Sequence, residues 1–564
     1  MYKKIVLYSF ILAVTAGFLV ACSSSLKPLA SDYIKAEPQP LELVAGKVPV
    51  TINATFPANW FNKKATLVVT PVLRYDGGEA WGTSYTYQGE KVAGNGQVIP
   101  QKTGGNVTLK SSFDYVPAMQ KSDLYLTFSA KVGNKEVSLP EIKIGEGVLA
   151  TAALLDAGSE IPAIAPDKFQ KIIKEAHNAD IMFLIQQAEI RSGELKKADL
   201  ANWKKLIANA DKAENKKINV EISAYASPDG GAELNEKLAG KREANTNKYL
   251  KSELKKSKVD APVTTRYTAQ DWEGFKELVE KSNIQDKNLI LSVLSMYKDS
   301  EQREREIKNI SSVYSVLADE ILPQLRRSRL TANIEIIGKS DEEISKLASS
   351  NPQSLDIEEL LYAASLADSP SVEESIYKKV TERFPNDYRA YNNLGAIDYL
   401  NGNLSRAESL FNKSLSISAS PEANLNLGLI NIAKGDLDKA QQFLGKASGV
   451  AELNNATGLI NLAGGNYSKA AGSFGKTASN NAALAQLLNK DYSNALSTLN
   501  AVAHPNAITA YLKAVVAART NNPNDVVSNL RQAVRLDPSL AGRASVDLEF
   551  VKYFTNEDFL NVVK

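Results

Sequence analysis

A run of recurring small residues between positions 392 and 526 constrains this chain more than any other feature of it. Asn392-Asn393-Leu394-Gly395 is followed by Gly402-Asn403-Leu404, Ala407 and Phe411; Asn426-Leu427-Gly428 by Gly435-Asp436-Leu437, Ala440 and Phe443; Thr457-Gly458 by Gly465-Asn466-Tyr467, Ala470 and Phe474. The alanines stand 33 and then 30 residues apart, and Asp491-Tyr492 with Ala495, then Asn522-Pro523 with Val526, continue the pattern degenerately. Gly and Ala let paired helices approach closely while Leu and Phe fill the space between them. Each hairpin buries that face only against its neighbour. The pattern predicts an all-α solenoid over 352–545, opened by a helix pair at Glu358 to Ala367 and Val372 to Phe384. Such a stack has a concave surface suited to protein partners; the other reading is that it braces the remaining domains.

The period resembles that of tetratricopeptide repeats. A second signal lies upstream, in Val220 to Leu250. Val220, Ile222 and Ala224 alternate as in a half-buried strand. Ser227-Pro228-Asp229-Gly230-Gly231 breaks it with turn and helix-start chemistry, and from Ala232 the apolar positions Leu234, Leu238 and Tyr249/Leu250 recur at helical spacing. A strand, tight turn and helix aim backbone N–H groups and the helix dipole at the space above the strand, where an anion can sit.

This stretch resembles the OmpA-like peptidoglycan-binding domain. Asn235, Leu238 and Arg242 fall on that family's Asn, its Leu and the Arg that grips the diaminopimelate carboxylate of the peptide stem. The family's Ser and final Ala fall on Ala239 and Glu243, and its ligand-binding Asp falls on Ser227. Asp229 is the nearest acid, so three outcomes stay open: Asp229 takes over, Ser227 offers a neutral hydrogen bond, or the site is dead. The resemblance implies an α+β domain over 179–338. Its strands are expected at Ile181 to Ile185, Val220 to Ala224, Val263 to Tyr267 and Leu330 to Ile337, with a helix at about Lys196 to Ala210. Leu325-Arg326-Arg327-Ser328-Arg329 resembles the family's Arg-Arg lead into the last strand, so Arg326 or Arg327 adds charge to the site. An insertion at about 272–323 reads as two or three surface helices, and its Glu301 to Glu306 run as a solvated helix start.

Residues 36–150 read as an all-β sandwich. Short β-branched and aromatic runs (Val48 to Asn53, Thr66 to Leu73, Thr83 to Tyr87, Asn106 to Leu109, Leu124 to Val132) alternate with Gly, Asn and Asp turns. Trp60, Trp81, Tyr85 and Tyr87 are assigned to sandwich packing rather than to a carbohydrate or partner groove. The module serves as a spacer or a protein-binding arm.

The chain carries one cysteine, and its place is telling. A basic start (Lys3, Lys4), an apolar run from Ile5 to Val20 and Leu19-Val20-Ala21-Cys22 resemble a bacterial lipoprotein signal peptide over 1–21. Cys22 is then the lipidated residue that holds the protein on a membrane, with 22–35 as tether. By the same resemblance, the lack of Asp directly after Cys22 points to the outer membrane, and the absence of an acidic cluster after it to the periplasmic face. With 66 basic against 64 acidic residues, nothing marks a nucleic-acid partner.

Only His177 and His504 are present, and no zinc, phosphate-loop or nucleophile-elbow motif occurs. Asp229 and Glu233 read as turn and first-turn acids rather than a catalytic pair. The expectation is a non-enzymatic lipoprotein without cofactor or metal, similar in domain order to lipoproteins of the Bacteroides and Porphyromonas type. It binds peptidoglycan through Ser227, Asp229, Asn235, Arg242 and Arg326, and envelope proteins through the repeats. The alternative is a scaffold subunit of an outer-membrane assembly or secretion complex whose OmpA-like domain no longer binds peptidoglycan.

Overall fold

The computed structural model describes residues 26–284 and 286–564. The expected signal peptide and Cys22 lie outside these residues. The described residues form two compact units: 26–166 with 380–564, and 167–379.

The first unit begins with two packed sheets. Ile34–Glu37, Lys47–Phe56 and Gly105–Asp114 form one, in that order. The other is built on Ala65–Tyr75 and Ser122–Val132, flanked by Tyr85–Gln88 and shorter strands. Burial alternates along Lys47–Phe56 and Gly105–Asp114, as one wet and one dry face require. The dry faces share a core with Val48, Ile52, Leu67, Leu109 and Leu124. Trp60 stacks against Phe56 and Tyr87 is 2% exposed, so both pack as expected, whereas Trp81 is 58% exposed.

Five helix pairs follow in the same unit, from Tyr388–Leu400 with Leu404–Ile417 to Ala507–Arg519 with Pro523–Leu536. The small residues work as the periodicity predicts. A Cβ on Gly395 would stand 2.7 Å from the Phe411 ring, one on Gly428 2.6 Å from Leu444, and one on Gly458 2.8 Å from the Phe474 ring. One assignment changes. Leu444, not Phe443, is the counterpart of Phe411 and Phe474, because the filler stands one helical turn beyond Ala407, Ala440 and Ala470. Gly402, Gly435 and Gly465 turn each pair at φ of 75–78°, where a side chain is strained.

The second unit holds a four-stranded sheet in the order Ile172–Met182, Arg327–Ile337, Lys216–Tyr225, Val263–Thr268. The first three run antiparallel and the last pair parallel. A parallel pair needs a crossover, and the helix Ala232–Ser257 supplies it, ending on Lys258 in the left-handed conformation. That helix and Ala198–Asp211 cover one face, with Leu200, Trp203, Ile207, Val220, Ile222, Leu250 and Leu330 between them.

Three expectations need correction here. The first strand is not Ile181 to Ile185 but Ile172–Met182, most of it exposed, while Leu184 and Ile185 lie beyond it and are exposed. The crossover helix does not bury Leu234, which is 47% exposed; its buried positions are Asn235, Ala239, Arg242, Thr246 and Leu250. The insertion holds more than three helices: Trp272–Lys281, Lys287–Met296, Ser300–Asn309, Ser311–Val316 and Leu322–Leu325, the last two joined by a π turn. It has its own core around Phe275, Val279, Ile290 and Leu325. The helix pair Ile357–Ser365 and Pro370–Arg383 is present, and residues up to Lys379 group with this unit rather than with the repeats.

Candidate functional site

The strand Lys216–Tyr225 delivers the chain into a turn that Asn235 holds from inside the following helix. The Asn235 carboxamide donates to the carbonyls of Ser227 at 3.0 Å and Gly230 at 3.2 Å. The turn thus stands at the N-terminus of a 26-residue helix with no side-chain cap on Gly231.

Arg242 lies two turns below Asn235 on the same buried face and is 1% exposed. Its guanidinium does not reach out of the turn. Nε donates to Gln187 O at 2.9 Å, Nη1 to Tyr225 O at 2.9 Å and Nη2 to Leu184 O at 3.2 Å, while the group lies over the Phe183 ring. Burial, with Arg326 nearby, lowers its pKa to about 10, against the opposing pull of Asp229, so it stays charged at neutral pH. The fork therefore closes the loop after the first strand onto the end of the second.

Ser227, Asp229 and Arg326 do come together. Arg326 donates from Nη2 to Asp229 Oδ2 at 3.0 Å and from Nε to Ser227 Oγ at 3.2 Å. Asp229 Oδ1 is buried and has no hydrogen-bond partner. Arg327 turns elsewhere, pairing at 3.0 Å with Asp271 in a nearly dry ion pair.

The space above the turn belongs to the insertion. Glu304, expected on a solvated helix, reaches back and accepts the Gly230 N–H at 2.8 Å. A carboxylate at a helix N-terminus is where the dipole favours one. Trp272, Phe275, Ile307, Tyr314 and Leu317 close around Pro228 and Asp229, leaving a cavity of about 20 Å³. That is room for one water. Glu233, the other acid singled out, is exposed and pairs with Lys237. Among the described residues no three His, Cys, Asp or Glu side chains are grouped to hold a metal ion.

A second candidate lies in the first unit, and sequence reasoning missed it. The face lined by the first helix of each repeat, expected to stand open for partners, holds the chain's own segment 154–166. Asn426 accepts the N–H of Ala163 at 2.7 Å and donates to its carbonyl at 2.8 Å; Asn393 does the same for Ala165 at 2.8 and 3.1 Å, and Asn481 for Asp156 at 3.1 and 2.8 Å. Asn392 adds a bond to Ala163 O at 2.9 Å and Tyr399 one to Ala157 O at 2.5 Å. Asn481 also donates to Glu160 at 2.8 Å. Burial raises the Glu160 pKa, the Asn481 bond opposes this, and Asp156 adds to it. Leu154, Ala157 and Ala163 join the hydrophobic core of the repeats. A signal existed. Asn426 and Asn481 each stand fourteen residues before a buried repeat alanine, a polar residue on helices otherwise buried throughout.

The tetratricopeptide repeat family matches residues 421–452. No curated protein matches the chain. Among solved structures, the APC/C hetero-tetramer Cut9–Hcn1 is 16% identical at a TM-score of 0.32, over 40% of this chain and 46% of that one. A tetratricopeptide repeat protein from Parabacteroides merdae is 14% identical at 0.28, over 38% and 91%. Pseudomonas aeruginosa PilF is 17% identical at 0.29, over 39% and 100%. The family match falls on the second of the five helix pairs and supports reading the C-terminal part as a tetratricopeptide solenoid.

Proposed function

We propose that this protein is a non-enzymatic scaffold, held on the periplasmic face of an outer membrane by lipid on Cys22. Its repeats and sandwich offer surfaces to envelope proteins, and its OmpA-like central domain is closed to peptidoglycan. The engagement of Arg242 carries this reading: all three of its bonds go to carbonyls of the domain itself, so a ligand carboxylate would have to displace a buried network. Glu304 supports it by taking the turn N–H that a ligand carboxylate would use. The strand order of the central sheet and its parallel last pair support kinship with the OmpA-like fold.

The second reading, a peptidoglycan tether, is favoured by one observation: the unpartnered Oδ1 of Asp229 beside Arg326 is a place for a ligand amine. Sedimentation of residues 23–564 with insoluble peptidoglycan sacculi separates the two. The scaffold reading expects the wild-type protein to stay in solution. Pelleting that Asp229→Ala and Arg326→Ala abolish would replace it with the tether.

A further inference from the structure

We infer that the asparagine-lined face of the repeats is a binding site for an extended protein segment of the pattern Glu-x-Pro-Ala-x-Ala, filled in cis by residues 160–165, and that a partner carrying this pattern enters by displacing them. This deepens the scaffold reading by stating what kind of partner the array takes, but it depends neither on the lipid anchor nor on the state of the turn.

The grip is on main chain. Asn426 and Asn393 each hold both the N–H and the C=O of one residue of the pattern, Ala163 and Ala165, as a neighbouring β-strand would, and Asn481 does the same for Asp156 just ahead of it. With the segment seated, Asn392, Asn393, Asn426 and Asn481 are at most 2% exposed. Buried carboxamides of this kind are costly unless paired, so the face is built around an occupant. A linker held only by its particular side chains would not need two-point contacts from separate repeats.

Selection comes from the inward side chains. Ala163 and Ala165 are each 1% exposed, so a larger residue there would have to push aside the packing around it, and Glu160, 5% exposed, meets Asn481. Pro162 is buried between them. Ile161 and Ile164 face away, 67% and 45% exposed, and are not read. The pattern is therefore a side-chain acceptor for Asn481, glutamate in this chain, then proline, then alanines two residues apart. Because the cis segment is tethered, it competes at an effective concentration on the order of mM. A partner must match its contacts or be presented at comparable local concentration.

The test uses a fluorescein-labelled synthetic peptide of residues 155–167 and the full chain with 157–165 replaced by a Gly-Ser segment of equal length. Saturable binding to the replaced chain is expected, at least tenfold weaker to the wild-type chain. It should also be at least tenfold weaker to the replaced chain carrying Asn426→Ala, and for a peptide carrying Ala163→Leu and Ala165→Leu. A replaced chain that melts cooperatively with wild-type helical content yet does not take the peptide would overturn the inference, as would equal binding to the wild-type chain. Should the replaced chain not fold, hydrogen exchange at the Ala163 and Ala165 amides of the wild-type chain decides. Millimolar unlabelled peptide should speed their exchange at least threefold, and unchanged exchange overturns the inference. Neither readout involves sacculi, so the scaffold reading stands or falls separately.

Discussion

The turn of the central domain and the face of the repeats both place buried polar side chains where an outside ligand would be met, and in both the chain supplies the occupant. They differ in what is held. At the turn, Arg242 binds carbonyls of its own domain through a single rigid fork, and removing it strips a charge and three bonds from one dry place. At the repeats, neutral carboxamides spread over several helices hold a segment as much as 325 residues away in sequence. A charged fork fixed on its own fold is a structural member. A ladder of neutral two-point contacts to main chain can exchange one strand for another.

Substitutions sharpen or break that contrast. The largest effect is expected from Arg242→Ala, which leaves three buried carbonyls without donors and should cost ~3–5 kcal/mol in the denaturation of the central domain. Arg242→Lys should recover little, since one ammonium cannot match the fork. A stable Arg242→Ala protein would break the comparison by freeing this arginine for a ligand. Gly458→Ala comes next: its Cβ would stand 2.8 Å from the Phe474 ring, and forcing that contact should cost ~1–3 kcal/mol in the thermal transition of the repeats. Glu304→Ala should leave global stability nearly unchanged while raising exchange of the Gly230 amide, a local loss of about 1 kcal/mol. An unchanged Gly230 amide would mean that the insertion does not cap the turn.

The smallest effect concerns Glu160. Its carboxyl pKa is raised in the fold, so the stability it contributes is complete below the ordinary glutamate value of 4.5 and is lost as pH rises through the raised value. The titratable groups facing it are Asp156 on its own segment and the Tyr399 hydroxyl, itself pushed up by burial and by these two acids. Glu160→Gln keeps an acceptor for Asn481 and removes the titration. It should slow exchange of segment 156–165 at pH 7, by under about 1 kcal/mol, and flatten its pH dependence. Exchange that rises with pH as steeply in Glu160→Gln as in wild type, after correction for intrinsic rates, would show that the segment does not feel this carboxylate.

The repeats were legible because their constraint is local and repeated: Gly395, Gly428 and Gly458 each face a filler one hairpin away, and the same spacing recurs. The central helix was misread because apolar spacing was taken as the guide to its inner face. Its dry side is written in Asn235 and Arg242, which bury because the turn, the end of the strand Lys216–Tyr225 and the loop after Met182 supply their partners, and in Thr246, whose hydroxyl is buried without a hydrogen bond. The strand Ile172–Met182 was only partly legible, since a mostly exposed strand has little alternation to show. Asn235 was aligned from sequence with the family's Asn, and its bonds go to the turn carbonyls of Ser227 and Gly230. Glu304 and the segment at 154–166 could not be placed. Their meaning rests on contacts spanning 74 and up to 325 residues; the recurring Asn426 and Asn481 mark the cradle but not the segment that fills it.

The seated segment also sets an order of events in time. Residues 154–166 leave the ribosome long before the helices that hold them, since Asn426 follows Ala163 by 263 residues. The sandwich draws its strands from neighbouring sequence and can close early. The segment after it has nowhere to go until the first, second and fourth helix pairs exist, and contacts of such separation form late. During that interval its two outward isoleucines and its inward alanines are all open to water together. Until the repeats have folded, the segment and its asparagine-lined cradle are each without the other, and a factor that meets the unfinished chain finds both open.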